Sequence, residues 1–270
     1  MKPIHDQTIL ITGSTDGIGK LAALRLARQQ AQVLLHGRDP KKLAGVVEEL
    51  KNASGNLKIE GFCADFSSLA EVRRLAQEML AKFPRLDVLI NNAGVGFSGE
   101  RYSRDGHELR FAVNYLAPFL LTRLLLPALK KAAPARIVNV SSAGQYPVDF
   151  NDVMLEKQFD GTRAYRQSKL SLIMFTFDLA EELKAAQVTV NTLHPGTYLN
   201  TNMVRQAKIT PWGEPESGAD AEVFLAVSPS VEGITGRYFN VQAEASAEAQ
   251  AYDPQARKQL RELSLRLAGL

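Results

Sequence analysis

Thr8-Ile9-Leu10-Ile11-Thr12-Gly13-Ser14-Thr15-Asp16-Gly17-Ile18-Gly19 is the stretch on which the fold is decided. Its first five residues are apolar or β-branched and read as a strand, and Leu21, Leu24, Ala27 and Arg28 follow at helical spacing. Between them lies a glycine turn. Glycines there permit a tight reversal, let backbone N–H groups approach a pyrophosphate, and aim the positive end of a helix at it. The spacing is G-x-x-x-G-x-G instead of G-x-G-x-x-G, so the turn alone fits a plain strand-to-helix connection as well as a phosphate cradle. Its place between the first strand and the first helix favours the cradle.

Outward from that turn, apolar strand-like runs alternate with amphipathic segments, the pattern of βαβ units. Seven runs qualify: Thr8 to Thr12, Gln32 to His36, Leu57 to Phe62, Leu86 to Ile90, Arg136 to Val140, Val188 to Leu193 and Arg237 to Asn240. Leu43, Val46, Val47 and Leu50 give the second helix one apolar face, and Asp39-Pro40 supplies its cap and first-turn proline. The expected fold is α/β: a Rossmann-like, doubly wound, seven-stranded parallel sheet in a single domain covering residues 1–270. Two stretches break the rhythm, Ser142 to Arg163 and Gly196 to Asp220, and read as loops beside a site. Residues 253–269 put Leu260, Leu263 and Leu267 on one helical face, an amphipathic helix docked on the body or on a second subunit.

Composition narrows the class. The chain has 270 residues, 45% apolar, about the limit of what one core serves. No run reaches the ~20 uninterrupted apolar residues of a membrane helix, and Met1 to Asp6 has no apolar leader, so a cytoplasmic protein without a membrane span is expected. Basic and acidic residues, 32 and 29, are interspersed, which argues against nucleic acid as a partner. Cys63 is the single cysteine and the four histidines are scattered, so neither a disulfide nor a metal site is expected.

The chemistry lies at strand ends. After the second strand comes His36-Gly37-Arg38; an acidic residue near this point would hold a ribose hydroxyl, whereas arginine accommodates a 2′-phosphate, so Arg38 points to NADP. Asp16 is a contrary sign, because a carboxylate near a phosphate repels it unless it points away. Asp65-Phe66 and Asn91-Asn92-Ala93-Gly94 follow the third and fourth strands, where ligands of open parallel sheets bind. Ser142 follows the fifth strand, and Tyr165 and Lys169 stand four apart on the next helix, on one face. Free tyrosine, with a pKa of about 10, is a poor proton donor or base at neutral pH; a nearby ammonium lowers that value toward the working range.

With these residues in place the chain resembles the short-chain dehydrogenase/reductase superfamily over nearly its whole length. Thr12 to Gly19 is similar to the family's T-G-x-x-x-G-I-G turn, Asn91 to Gly94 to its N-N-A-G segment, and Tyr165 to Lys169 to its Y-x-x-x-K. The resemblance implies Asn114, Ser142, Tyr165 and Lys169 as the catalytic set, with Asn114 holding a water in a proton relay. It implies cofactor contacts from Gly13, Ser14, Thr15, Gly17, Ile18, Gly19, Arg38, Asp65, Phe66, Asn92, Ala93, Gly94, Tyr165, Lys169, Pro195, Gly196 and Thr197. After Pro195-Gly196 the chain looks one residue longer than the family pattern and displaces Thr201, leaving two hydroxyls, Thr197 and Thr201, for the cofactor. The stretches around Tyr165 and between Ser142 and Tyr165 resemble the retinol-dehydrogenase branch, which prefers NADP.

The resulting expectation is an enzyme that moves a hydride between NADP(H) and a carbonyl or alcohol of a small apolar substrate. Phe97, Tyr102, Tyr146, Tyr198, Met203 and Trp212 lie in the loops expected to close over it. Two rivals stand beside it: a sugar-nucleotide epimerase or dehydratase of the same family type, and a non-catalytic NADP-sensing regulator. Leu172, Ile173, Phe175, Phe177 and Leu179 spread around more of their helix than one buried face needs, which predicts a homodimer.

Overall fold

The computed structural model describes all 270 residues. Eight strands form one sheet in the order β3-β2-β1-β4-β5-β6-β7-β8. They are β1 (Thr8–Ile11), β2 (Gln32–Gly37), β3 (Ile59–Cys63), β4 (Val88–Asn91), β5 (Ala135–Val140), β6 (Val188–His194), β7 (Tyr238–Asn240) and β8 (Ala243–Ala245). The first seven pair in parallel, as the strand pattern requires. An eighth, not foreseen, closes the edge antiparallel to β7, pairing Tyr238 with Ala245. Its residues Ala243-Glu244-Ala245 carry no β-branched or aromatic side chain and so left no sequence signal.

The helices are α1 (Gly17–Arg28), α2 (Pro40–Ser54), α3 (Leu69–Lys82), α4 (Leu109–Phe111), α5 (Ala117–Ala132), α6 (Gly161–Glu182), α7 (Asn202–Gln206), α8 (Pro215–Val227) and α9 (Pro254–Ala268). They cover both faces, and the central strands are therefore apolar on both sides: Ile9, Ile11, Val33 and Leu35 face the α1, α2 and α8 layer, while Leu10, Leu34 and Leu89 face the α3, α5 and α6 layer. Local chemistry sets the helix ends. Asp39 accepts from the backbone N–H of Lys41 and Lys42 at 2.8 and 3.0 Å, and Gly55 ends α2 in the left-handed region at φ +67°.

Two expectations change in the structure. The segment 196–220 holds the short α7 and the start of α8: Pro215 is a first-turn proline, and Gly218 packs so tightly that a Cβ would lie 2.8 Å from Leu199 and 3.0 Å from Ile18. The residues that read as loop breakers are thus a helix start and a close contact. The apolar circumference of α6 is covered within the chain: Ile173, Phe175, Phe177 and Leu179 are buried in the core to which α9 contributes Ala256, Leu260 and Ala268. Arg261 pairs with Asp178 at 2.7 Å, and Ser264 shares a 2.6 Å hydrogen bond with Tyr115. The apolar excess that predicted a homodimer is consumed by α9, so that argument has no surface left.

One helical run, Leu109–Ala132, is long and apolar enough to cross a membrane by length and composition, and 83% of its most apolar stretch is buried in the body. That apolar surface is spent on the core.

Candidate active site

The strand order reverses between β1 and β4, whose carboxyl ends carry the Thr12 turn and the Asn91 to Gly94 turn. The two turns are bolted together. Thr12 Oγ1 accepts from the backbone N–H of Asn92 and Ala93, both at 3.0 Å, and Asn92 Nδ2 donates to Thr12 O at 2.8 Å and Gly13 O at 3.0 Å. A Cβ on Gly13, whose φ is +64°, would stand 2.7 Å from Ala93 Cα, and one on Gly19 would stand 2.3 Å from Asn92 Nδ2. Glycine is therefore required twice by close approach. A Cβ on Gly37, at the end of β2, would meet the Thr15 methyl at 2.4 Å. Backbone at this closeness, ahead of a helix N-terminus, fits a dinucleotide pyrophosphate.

His36, read from the sequence only as a packing or surface residue, positions this cradle. Gly13 N–H donates to His36 Nδ1 at 3.1 Å, which leaves Nε2 to donate to Ala64 O at 3.0 Å. Burial pushes its pKa down to about 4, so the ring stays neutral and keeps this tautomer. Phe66 stacks beneath it at 4.2 Å and is 4% exposed, so that side chain is committed to the core, and only the backbone of Phe66 is left for a ligand. Ser14 is likewise internal: its hydroxyl donates to Ile11 O and accepts from His36 N–H. Asp65 caps the turn before α3 through Ser67 N–H at 2.9 Å.

Arg38 is exposed and forms no ion pair. Asp16 does not oppose it freely. Its carboxylate accepts from Gly17 N–H at 2.8 Å, pairs with Lys42 at 2.7 Å and also takes Asn202 Nδ2; Lys42 and these hydrogen bonds overcome a burial effect of opposite sign and hold it below the usual carboxylate range. The residues at this end fit a 2′-phosphorylated ribose.

Thr197 is exposed and its hydroxyl meets His194 Nε2 at 3.1 Å, whereas the Thr201 side chain lies against Gly17, 3.5 Å from where a Cβ would be. Thr201, at the cap of α7, turns its methyl toward the glycine turn. Gly196, in the left-handed region at φ +134°, makes the preceding bend, and Pro195 is buried beside it.

Ser142, Tyr165, Lys169 and Asn114 come together across β5, α6 and the helix that starts at Leu109. Ser142 and Lys169 are 8% and 4% exposed, and Asn114 is fully buried. Lys169 Nζ donates to Val140 O at 2.9 Å and lies 5.7 Å from the centre of the Tyr165 ring. The amine is thus under the ring and not at the phenol oxygen. Burial pushes the Tyr165 phenol above its ordinary value, with the Ser142 hydroxyl acting the other way. Desolvation outweighs the hydrogen bond, so the direction is opposite to the one expected from an adjacent ammonium. Asn114 sits in a π-helical turn, Ala112–Leu116, and its Nδ2 donates to Val95 O at 3.1 Å and Ser168 Oγ at 3.0 Å. Both its N–H groups are committed to protein partners.

A group the sequence reading missed acts on Lys169 through its charge. Glu222 on α8 is fully buried, and neither carboxylate oxygen has a hydrogen-bond partner. Burial pushes it up to about 8 against the pull of Lys169, and burial pushes Lys169 down to about 8. The signal was present: one acid inside Ala221-Glu222-Val223-Phe224-Leu225.

Of the expected substrate-side residues, Phe97 meets Tyr165 edge to face at 6.2 Å, and Met203 Cγ lies 3.0 Å from where a Gly96 Cβ would be. Tyr198 and Trp212 form a T-shaped pair at 5.1 Å, Trp212 being 73% exposed. Tyr102 and Tyr146 are engaged at the surface by Arg101 and Arg163.

A doubly wound sheet with a glycine cradle at its switch point and a serine, tyrosine and lysine grouped at its mouth defines a Rossmann-type oxidoreductase that uses a nicotinamide cofactor. The chain belongs to the short chain dehydrogenase family, whose model matches residues 7–211. Within that family it falls in the retinol-dehydrogenase-like branch: it is 37% identical over 296 residues to retinol dehydrogenase 14 of Mus musculus, a match covering 99% of this chain and 87% of that one. Among solved structures, an uncharacterized protein from Mycobacterium Paratuberculosis superposes with a TM-score of 0.80 at 27% identity, over 98% of this chain and 94% of the other. The Pseudomonas aeruginosa RhlG/NADP active-site complex superposes with a TM-score of 0.71 at 29% identity, over 89% and 97%.

Proposed function

We propose that the chain reduces a carbonyl group on a small apolar substrate with NADPH, Tyr165 being the proton donor. The observation that carries this reading is the Tyr165 phenol, set beside the Ser142 hydroxyl and above Lys169 at the mouth of the cradle. Arg38, exposed and unpaired at the end of β2, supports the 2′-phosphorylated cofactor, as does the likeness to the RhlG/NADP complex.

A nicotinamide cofactor held at the Gly13 to Gly19 turn would supply the hydride for the carbonyl carbon. Ser142 donates a hydrogen bond that orients the carbonyl oxygen, and Tyr165 gives that oxygen its phenolic proton. The phenol carries its proton at neutral pH, as a donor to the carbonyl oxygen must. Lys169, its Nζ anchored to Val140 O beneath the Tyr165 ring and pushed down to about 8 by burial, acts on the phenol through its charge. Phe97 and Met203 supply apolar walls.

The test is turnover of a panel of aldehydes, ketones and quinones with NADPH and NADH, repeated with Tyr165→Phe. The expected loss is on the order of 10²–10⁴ in kcat, with cofactor binding retained. Native turnover by Tyr165→Phe, or NADPH binding with no turnover of any compound by the native chain, removes the proposal; the second result is what a cofactor sensor gives.

A further inference from the structure

Arg110, in the first turn of the helix that carries Asn114, is 1% exposed and touches neither Tyr165 nor Lys169. One side of its guanidinium pairs with the buried Glu108 at 3.1 Å. The rest is wrapped by backbone carbonyls: Gly96 at 3.1 Å, Ser98 at 2.8 Å and Glu100 at 2.5 Å, with Phe97 and Gly99 at 3.4 and 3.5 Å. One turn on, Asn114 takes both backbone groups of Val95, at 2.7 and 3.1 Å. Residues 95–100, which belong to no helix or strand, are therefore held by two side chains of one helix.

A loop without a ladder partner must find donors for its carbonyls elsewhere, and a guanidinium with five N–H groups is the densest single source. What the loop presents is Phe97, edge to face against Tyr165 at 6.2 Å. The same cage reaches the start of α6. A Cβ on Gly161 would stand 2.1 Å from Phe97 O, and Phe159 lies between Arg101 and Arg110, at 4.9 and 5.6 Å from its ring centre. Arg110 thereby fixes the separation between the Phe97 ring and the helix turn that bears Tyr165.

We propose that Arg110 is a positioning residue that sets the substrate range, by holding Phe97 as a rigid wall beside the phenol; this rests on Tyr165 being the proton donor. With the wall in place, a carbonyl flanked by bulky groups is kept from Tyr165, while a slender or flat apolar compound passes. Loosening the cage widens the range.

The experiment compares benzaldehyde with mesitaldehyde, whose carbonyl is flanked by two ring methyl groups, using NADPH and the full chain. Taking ratios of kcat/KM cancels intrinsic reactivity between variants. In Phe97→Ala the mesitaldehyde-to-benzaldehyde ratio rises about tenfold or more, a size typical of opening an apolar pocket. Arg110→Met gives a rise of the same sign, mainly through KM for mesitaldehyde, with NADPH affinity unchanged. Trypsin also cuts after Arg101 faster in Arg110→Met than in Phe97→Ala, since only the former frees the backbone. Where Arg110→Met does not fold, Arg110→Lys and Phe97→Ala carry the same readouts.

An unchanged ratio in Phe97→Ala overturns the proposal, and so does Arg110→Met slowing both aldehydes alike. A native chain that reduces nothing in the wider carbonyl panel removes the catalytic reading itself, and this proposal falls with it. An active chain with unchanged ratios removes only the role of Arg110.

Discussion

The cradle at the ends of β1 and β2 and the wall over Tyr165 are built by opposite means. In the cradle the decisive property is an absence: Gly13, Gly19 and Gly37 have no Cβ, and each stands where one would collide with Ala93, Asn92 or Thr15. In the wall the decisive property is an addition, since Arg110 and Asn114 supply hydrogen bonds to a backbone segment that has no regular partner. Missing side chains are written locally in a motif. A cage is written in residues ten and more apart, with no fixed spacing between donor and acceptor.

The difference can be broken most forcefully at the cradle. Gly13→Val puts a β-branched residue at φ +64° and drives it into Ala93. Backbone strain there costs about 1–3 kcal/mol. Displacing the turn also loses charge-assisted hydrogen bonds to phosphate, so NADPH affinity should fall on the order of 100-fold. Calorimetric titration checks this; affinity within twofold of native would show that the turn does not hold the cofactor.

Arg38→Ala tests the outer rim of the same cradle with a smaller effect. It removes one charged partner of a 2′-phosphate, so NADPH should weaken roughly tenfold while NADH is unaffected. Equal losses for both cofactors, measured by fluorescence titration, would mean that Arg38 does not meet that phosphate.

Glu222 tests the ground between the two regions, and its effect is on stability. Its folded pKa stands above its unfolded value, raised from 4.5 to about 8. Between those limits the folded state binds more protons than the unfolded one, so its stabilising share is full below about pH 4.5 and is lost as pH rises toward 8. The slope is at most about 1.4 kcal/mol per pH unit. Glu222→Gln removes this slope, so its advantage over the native chain should grow from pH 5 to 8 and then level off. Lys169 loses the carboxylate that raises it in the same variant and so contributes to the difference, and His194 faces Lys169 in both chains. Parallel urea-unfolding curves across that range would mean Glu222 is ionised and solvated in the folded chain.

How much was legible followed the same division. The seven parallel strands, the capped start of α2 and the spacing of Tyr165 and Lys169 depend on near neighbours, and the structure places them as the pattern implies. The direction of the Phe66 side chain could not be read from the sequence, because a residue following a strand can face the ligand or the core, and only its stack on His36 decides which. The side chains of Thr197 and Thr201 part after the bend at Gly196, Thr197 meeting His194 and Thr201 lying against Gly17, a matter of backbone direction and not of residue type. The surplus apolar surface of α6 was read correctly as needing a cover, but the cover came from α9 of the same chain.

The amino-acid order alone settled the α/β alternation, the glycine cradle and the identity of the polar residues at its mouth, because period and turn chemistry act over a few residues. Tertiary structure alone decided how that mouth is buried and the shape of its wall. Burial of Tyr165, Lys169 and Glu222 is a property of everything packed around them, and the grip of Arg110 on residues 96–100 exists only once helix and loop have met.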